Sequence, residues 1–142
     1  MTKSLPIIIQ NIVYRKYGNT FEVLLLKRNE VRGGFWNVVN GTLELNESII
    51  ECQKRELIEE AGIQNVVHWS NEIYRFNFPY KDYVIVVIVF TAEVPENQTV
   101  VINDEHTEYR WVNFDEALNM LQFDDDKNGL KICQEKLIKS EA

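Results

Sequence analysis

Cysteine and histidine are scarce in these 142 residues, with two of each: Cys52 and Cys133, His68 and His106. Residues so few and so scattered cannot assemble a zinc-type site, and two distant thiols are expected to stay reduced, as in a cytoplasmic protein. Positive charge is also in deficit, with 15 Lys and Arg against 22 Asp and Glu and a net charge of −7. That balance argues against a stable nucleic acid complex and against attraction to an anionic membrane. A phosphate-bearing ligand would need the help of a cation. Long apolar runs are missing too. "MTKSLPIII" is too short and too weakly basic for a signal peptide, and no stretch has membrane-spanning length. Repeats, linkers and low-complexity segments are absent. With 45% hydrophobic and 26% charged positions, the chain is expected to form one domain over residues 1–142, as a monomer or homodimer.

The order of elements is legible from periodicity and turn residues. "PIIIQNIVY" and "FEVLLLKR" read as successive strands about a Gly18-Asn19 turn. "VVHWSNEIYRFNF" and the strongly apolar "DYVIVVIVFTAEV" read as a hairpin turning at Pro79-Tyr80-Lys81, and "YRWV" as a short strand. One helix is expected from Glu47 to Gly62, capped by Asn46. A second starts at an Asn113/Glu116 capping box, and a last amphipathic one covers "NGLKICQEKLIK". The mixture implies an α/β layered domain with helices on a mixed sheet.

The most informative segment is "GTLELNESIIECQKRELIEEAGI", Gly41 to Ile63. On a helix, Glu56, Glu59 and Glu60 are related by i, i+3 and i+4 and share one face, while Ile50, Leu57 and Ala61 form a separate stripe for packing. Like charges at i+4, close to a helix C-terminus, oppose both each other and the macrodipole, so the cluster costs stability unless a cation sits there. Carboxylate oxygens suit Mg²⁺, with Mn²⁺ as a substitute. Arg55 can pair with Glu59 four residues on, and Glu47 lies at the positive end of the helix dipole.

A bare "ELIEE" would be a solvated acidic helix face. The longer frame is Gly41, Glu47, Arg55-Glu56, aliphatic Leu57, Glu59-Glu60, Gly62 and aliphatic Ile63. At ordinary residue usage of roughly 6% each, its seven fixed residues would coincide by chance less than about once in a million chains. The segment resembles the signature of the Nudix hydrolases without a departure. The resemblance implies an α/β/α sandwich with a mixed sheet and Mg²⁺-dependent cleavage of a phosphoanhydride in a nucleoside triphosphate or a related nucleoside diphosphate-linked compound. It also implies metal ligands at Glu56, Glu59 and Glu60, a further one from the Asn40 carbonyl, an orienting role for Arg55 and support of the loop by Glu47. Where the family often has Pro-Gly-Gly, this chain has Val39-Asn40-Gly41, which leaves the carbonyl available.

Signals outside the segment are weaker. Lys27 and Arg28 end a strand where family members often contact phosphate, or they simply reach solvent. Phe35 and Trp36 border a base or fill the core. "EHTEYRW" resembles the corresponding stretch of dihydroneopterin triphosphate pyrophosphatases and dinucleoside tetraphosphate hydrolases. Because family members differ in which glutamate activates water, Glu105 joins Glu59 and Glu60 as a candidate base and metal ligand. His106 reads as a loop residue bonded to backbone, and Asp124-Asp125-Asp126 as a solvated loop between helices. The competing functions are a non-catalytic nucleotide sensor of the same fold, which has little reason to keep three glutamates, and an interaction module.

Overall fold

The Gly18-Asn19 pair, with Gly18 at a φ of 62°, turns the chain between β1 (Ser4–Tyr17) and β2 (Thr20–Arg28). The structure, a computed structural model, describes residues 4–141. A single 3-10 turn (Glu30–Arg32) leads through β3 (Trp36–Asn37) and β4 (Val39–Glu44) to α1 (Ile49–Ala61). There follow β5 (His68–Trp69), the hairpin of β6 (Tyr74–Tyr80) and β7 (Tyr83–Val94), β8 (His106–Val112), α2 (Phe114–Met120) and α3 (Asp124–Glu141).

Among the described residues the strands form one eight-stranded mixed sheet. β1 runs parallel to β7 along one edge, in the register Ile9↔Ile88. Its other edge is divided: β4 pairs antiparallel with its first part, Gln10 opposite Asn40, and β2 with its last residues, Tyr14 opposite Val23. β8 extends β2.

Alternation along β1 sets the layers, because successive side chains leave a strand on opposite faces. Ile9 and Val13 pack with Cys52, Leu57 and Ala61 of α1, whereas Ile12 and Tyr14 pack with Phe114, Ala117, Leu130 and Cys133 of α2 and α3. Helices therefore cover both faces of the sheet, the α/β/α sandwich that the resemblance implied. Complete burial of a residue such as Leu57 contributes about 1.5–3 kcal/mol.

Several local expectations are corrected. α1 is capped by Ser48, not Asn46, and starts at Ile49: the Ser48 side chain accepts from Glu51 N–H at 3.2 Å, and the Glu51 carboxylate accepts from Ser48 N–H at 3.0 Å. Asn46 sits one turn earlier, at a φ of 71°, a conformation asparagine tolerates. Ile50 is 39% exposed, so the packing stripe is Cys52, Gln53, Leu57 and Ala61. The hairpin turns at Lys81-Asp82, leaving Pro79 and Tyr80 in β6. Asp124, Asp125 and Asp126 form the first turn of α3 rather than a loop, where the positive end of the helix dipole favours them.

Candidate active site

α1 presents Glu56, Glu59 and Glu60 toward β4, as the helical spacing required, but only Glu59 is a solvated carboxylate. Glu56 is 6% and Glu60 7% exposed, so two of the three acids lie on the packed side of the helix and not on an open charged face. A glycine makes room for them. A Cβ on Gly41 would run into the Glu56 carboxyl group, and Glu56 occupies the space that the missing side chain leaves. Gly62, left-handed at a φ of 65°, ends the helix with its N–H on the Ile58 and Leu57 carbonyls.

Arg55 ties this face together. Its Nε and Nη2 donate to the two oxygens of Glu47 at 2.6 and 3.0 Å, Nη1 donates to Glu56 at 2.6 Å and Glu59 at 3.3 Å, and Nη2 also reaches the Thr42 carbonyl at 3.0 Å. Glu47 is held through both of its oxygens, in the two-point geometry that guanidinium and carboxylate share, and the Glu59 pair expected from spacing is the longer contact. Arg55 holds the Glu47 carboxyl down at about 2. Glu47 also accepts from Glu44 N–H at 3.1 Å, closing the loop before the helix.

Burial pushes Glu56 and Glu60 above the usual carboxylate range, and for Glu60 the neighbouring Glu56 and then Glu105 add to it. Two carboxyls confined together in this way oppose each other's ionisation. The Asn40 N–H donates to Glu60. In a strand a residue's N–H and C=O leave on the same edge, so the Asn40 carbonyl faces the same acids, as does Thr42 two residues on.

The opposite wall comes from distant parts of the chain. A cleft of about 380 Å³ joins Glu56, Glu59, Glu60, Asn40 and Arg55 to Arg28 at the end of β2, Arg32, Glu105 and His106. Glu105 pairs with Arg32 at 3.4 Å. Here one sequence reading is corrected: His106 opens β8 rather than lying in a loop, and its Nε2 is 4.0 Å from a Glu60 oxygen. Burial, countered by Glu105 and reinforced by Arg28 and Arg32, lowers its proton affinity. The Nε of Arg28 and Nδ1 of His106 are buried with no hydrogen-bond partner among the described residues.

Of the residues singled out from sequence, the structure gathers Asn40, Arg55, Glu56, Glu59, Glu60, Glu105 and Arg28 around this cleft. Phe35 lines an adjoining cavity. Lys27 and Trp36 lie elsewhere. Lys27 precedes a register shift in β2 and pairs across the sheet with Glu108 and Trp36. Trp36 packs on the core, with the Arg110 guanidinium 5.1 Å from its ring centre. Arg32 and Asn37 were not foreseen; no motif marks them, and only the fold brings them to the cleft.

The donor set fits a hard divalent cation. Carboxylate and carbonyl oxygens are its materials, and a cation would relieve the crowding of Glu56 and Glu60, whose proton affinity burial raises. Among the described residues no trio of these side chains is already drawn to metal-ligand distance, and Arg55 engages Glu56 and Glu59. A cation would compete with that guanidinium.

Comparison with known proteins agrees with this arrangement. The family model described as the NUDIX domain matches residues 9–132. An octanoyltransferase of Myxococcus xanthus is 35% identical over 115 residues, which make up 78% of this chain and 32% of that protein. This chain thus spans about a third of that relative. The asymmetrical bis(5'-nucleosyl)-tetraphosphatase of Sus scrofa is 32% identical over 128 residues, 88% of this chain and 87% of the enzyme. A NUDIX hydrolase from Listeria monocytogenes shares the fold with a TM-score of 0.84 and 26% identity, covering 96% of this chain and 97% of its own.

Proposed function

Because the chain belongs to the NUDIX domain family, we propose that it is a Mg²⁺-dependent pyrophosphohydrolase, with Mn²⁺ able to substitute. Its substrate would be a nucleoside triphosphate or a nucleoside diphosphate-linked compound, including dihydroneopterin triphosphate or a dinucleoside polyphosphate. The observation that carries this reading is the meeting of Glu56, Glu59 and Glu60 with Arg28 and Arg32 in one cleft. We place it in the cytoplasm as a single NUDIX domain, monomeric or homodimeric, without a nucleic acid partner.

Glu56, Glu59, Glu60 and the Asn40 carbonyl would hold the cation. When bound, it supplies the positive charge that phosphate oxygens need in a chain of net charge −7. The rest falls to the protein. Arg55 fixes the glutamate carboxyls in place through Glu47, Arg28 and Arg32 offer donors to the phosphate chain, and Glu105 accepts the proton of the attacking water. His106 stands beside Glu60, and burial lowers its proton affinity.

The reading is tested by Glu59→Gln and Glu60→Gln. Each keeps side-chain volume and replaces a carboxylate oxygen that would bind the cation with an amide nitrogen, so turnover should fall at least tenfold, about 1.4 kcal/mol of transition-state stabilisation, with the melting temperature maintained. Loss of stability in proportion to activity would mean that the glutamates are structural.

A further inference from the structure

Beside the cleft, and sharing Arg28, Asn37 and Asn40 with it, lies a second cavity of about 370 Å³ whose walls differ in kind. Phe76 and Phe78, two residues apart on β6 and so on one face, form one side. Phe35 and Phe123, edge to face with centroids 5.2 Å apart, form another. Aromatic faces hold heterocycles by stacking, so walls of this composition suit a flat ring.

Polar groups border the cavity. Gln10 on β1 is 3% exposed and Asp126 on α3 is 8% exposed. The Gln10 amide donates to Asp126 Oδ1 at 3.1 Å, while Gln10 Oε1 has no hydrogen-bond partner among the described residues. Asp125, also on the wall, accepts from the Tyr74 hydroxyl at 3.0 Å through one oxygen. What is left over at this end is an amide oxygen and the second oxygens of the two carboxylates, all of them acceptors. Burial raises the proton affinity of Asp126 against the pull of the Gln10 amide. A buried acceptor without a donor is costly, and a ligand can supply the donors.

We infer that this cavity is a base-recognition subsite for a heterocycle with adjacent N–H donors, the 2-amino-4-oxopyrimidine edge that guanine and pterins share, and that Gln10 and Asp126 determine this specificity. The inference rests on the pyrophosphohydrolase reading, which puts the phosphate chain in the neighbouring cleft. Other bases fit the edge less well. Adenine and cytosine set a ring acceptor beside the amino group, and uracil flanks its one N–H with two carbonyls, so each would turn a lone pair toward Asp126 or Gln10. A site built around buried acceptors rejects such analogues strongly.

The test is titration of the protein with unphosphorylated guanosine, inosine, adenosine and neopterin, followed by NMR chemical shifts. No phosphate, metal or turnover is involved, so the result is separate from success or failure of hydrolysis. Guanosine or neopterin should bind about tenfold or more tightly than inosine, which lacks only the 2-amino group, and than adenosine. Which of the two binds better identifies the source of the edge. Asp126→Asn, which replaces an acceptor oxygen with a donor, should erase most of the difference while stacking persists. Equal binding of all four, binding of none, a preference for adenosine, or an unchanged guanosine preference in a folded Asp126→Asn would overturn the assignment. Should that variant not fold, the guanosine–inosine comparison on the unaltered protein decides alone.

Discussion

The carboxyl group of Glu56 lies against the Cα of Gly41, in the space that any side chain at position 41 would take. The first glycine of the motif is thus explained by a neighbour fifteen positions away and not by its own backbone torsions. Because the displaced group is the end of a flexible side chain, Gly41→Ala should leave the fold in place and push Glu56 out of the cleft. Turnover is expected to fall at least tenfold, about 1.4 kcal/mol, with little change in melting temperature. Wild-type turnover in the alanine variant would show that the position of Glu56 is immaterial.

The pairing of Glu47 with Arg55 predicts a pH effect. Glu47 is held at about 2 against an ordinary value of 4.5. A carboxyl lowered in the folded state stabilises it fully above the ordinary value, and that contribution disappears as the pH falls toward the lowered one. Acid unfolding between about pH 4.5 and 2 should therefore be shallower in Glu47→Gln, which has no proton to take up there. Identical acid limbs in the two proteins, measured by circular dichroism, would contradict the pairing.

Glu105 separates a base on the loop side of the cleft from one on α1. Glu105→Gln removes a proton acceptor at constant volume, so single-turnover rates at saturating Mg²⁺ should fall roughly 10²- to 10⁴-fold. Glu108→Gln, in a residue that pairs with Arg110 on the surface, should stay within about a factor of two. A normal rate in Glu105→Gln would move the base to Glu59 or Glu60, and equal defects in both would indicate disturbance of the segment as a whole.

What the sequence made legible, and what it hid, follows from the range of the interactions. Glu56, Glu59 and Glu60 share a face because helical spacing is local, and the strand and helix order follows from equally local periodicity. The helix start was misplaced because Asn46 and Ser48 are both capping residues, and only the turn geometry decides between them. The run Asp124 to Asp126 looks solvated in sequence, yet Asp126 is buried and accepts a hydrogen bond from Gln10, 116 positions away. Arg28 reaches the cleft and Lys27 does not, and the register shift in β2 that lies between them has no signature in "LLLKR". His106 likewise acquires its position only when β2 and β8 pair, and Arg32, in the turn after β2, meets Glu105 just ahead of β8.

Cation-dependent hydrolysis of phosphoanhydrides can be read in one assay with phosphate-resolved products. The purified protein is incubated with nucleoside triphosphates, dihydroneopterin triphosphate, dinucleoside polyphosphates, nucleotide sugars and ADP-ribose, in Mg²⁺ and in excess EDTA. Cleavage of a phosphoanhydride bond in at least one of them is expected with Mg²⁺ and none with EDTA, because an acidic cleft lined by Glu56, Glu59 and Glu60 repels polyphosphate without a cation. Undiminished turnover in EDTA, or no cleavage of any compound with Mg²⁺ or Mn²⁺, would contradict this expectation.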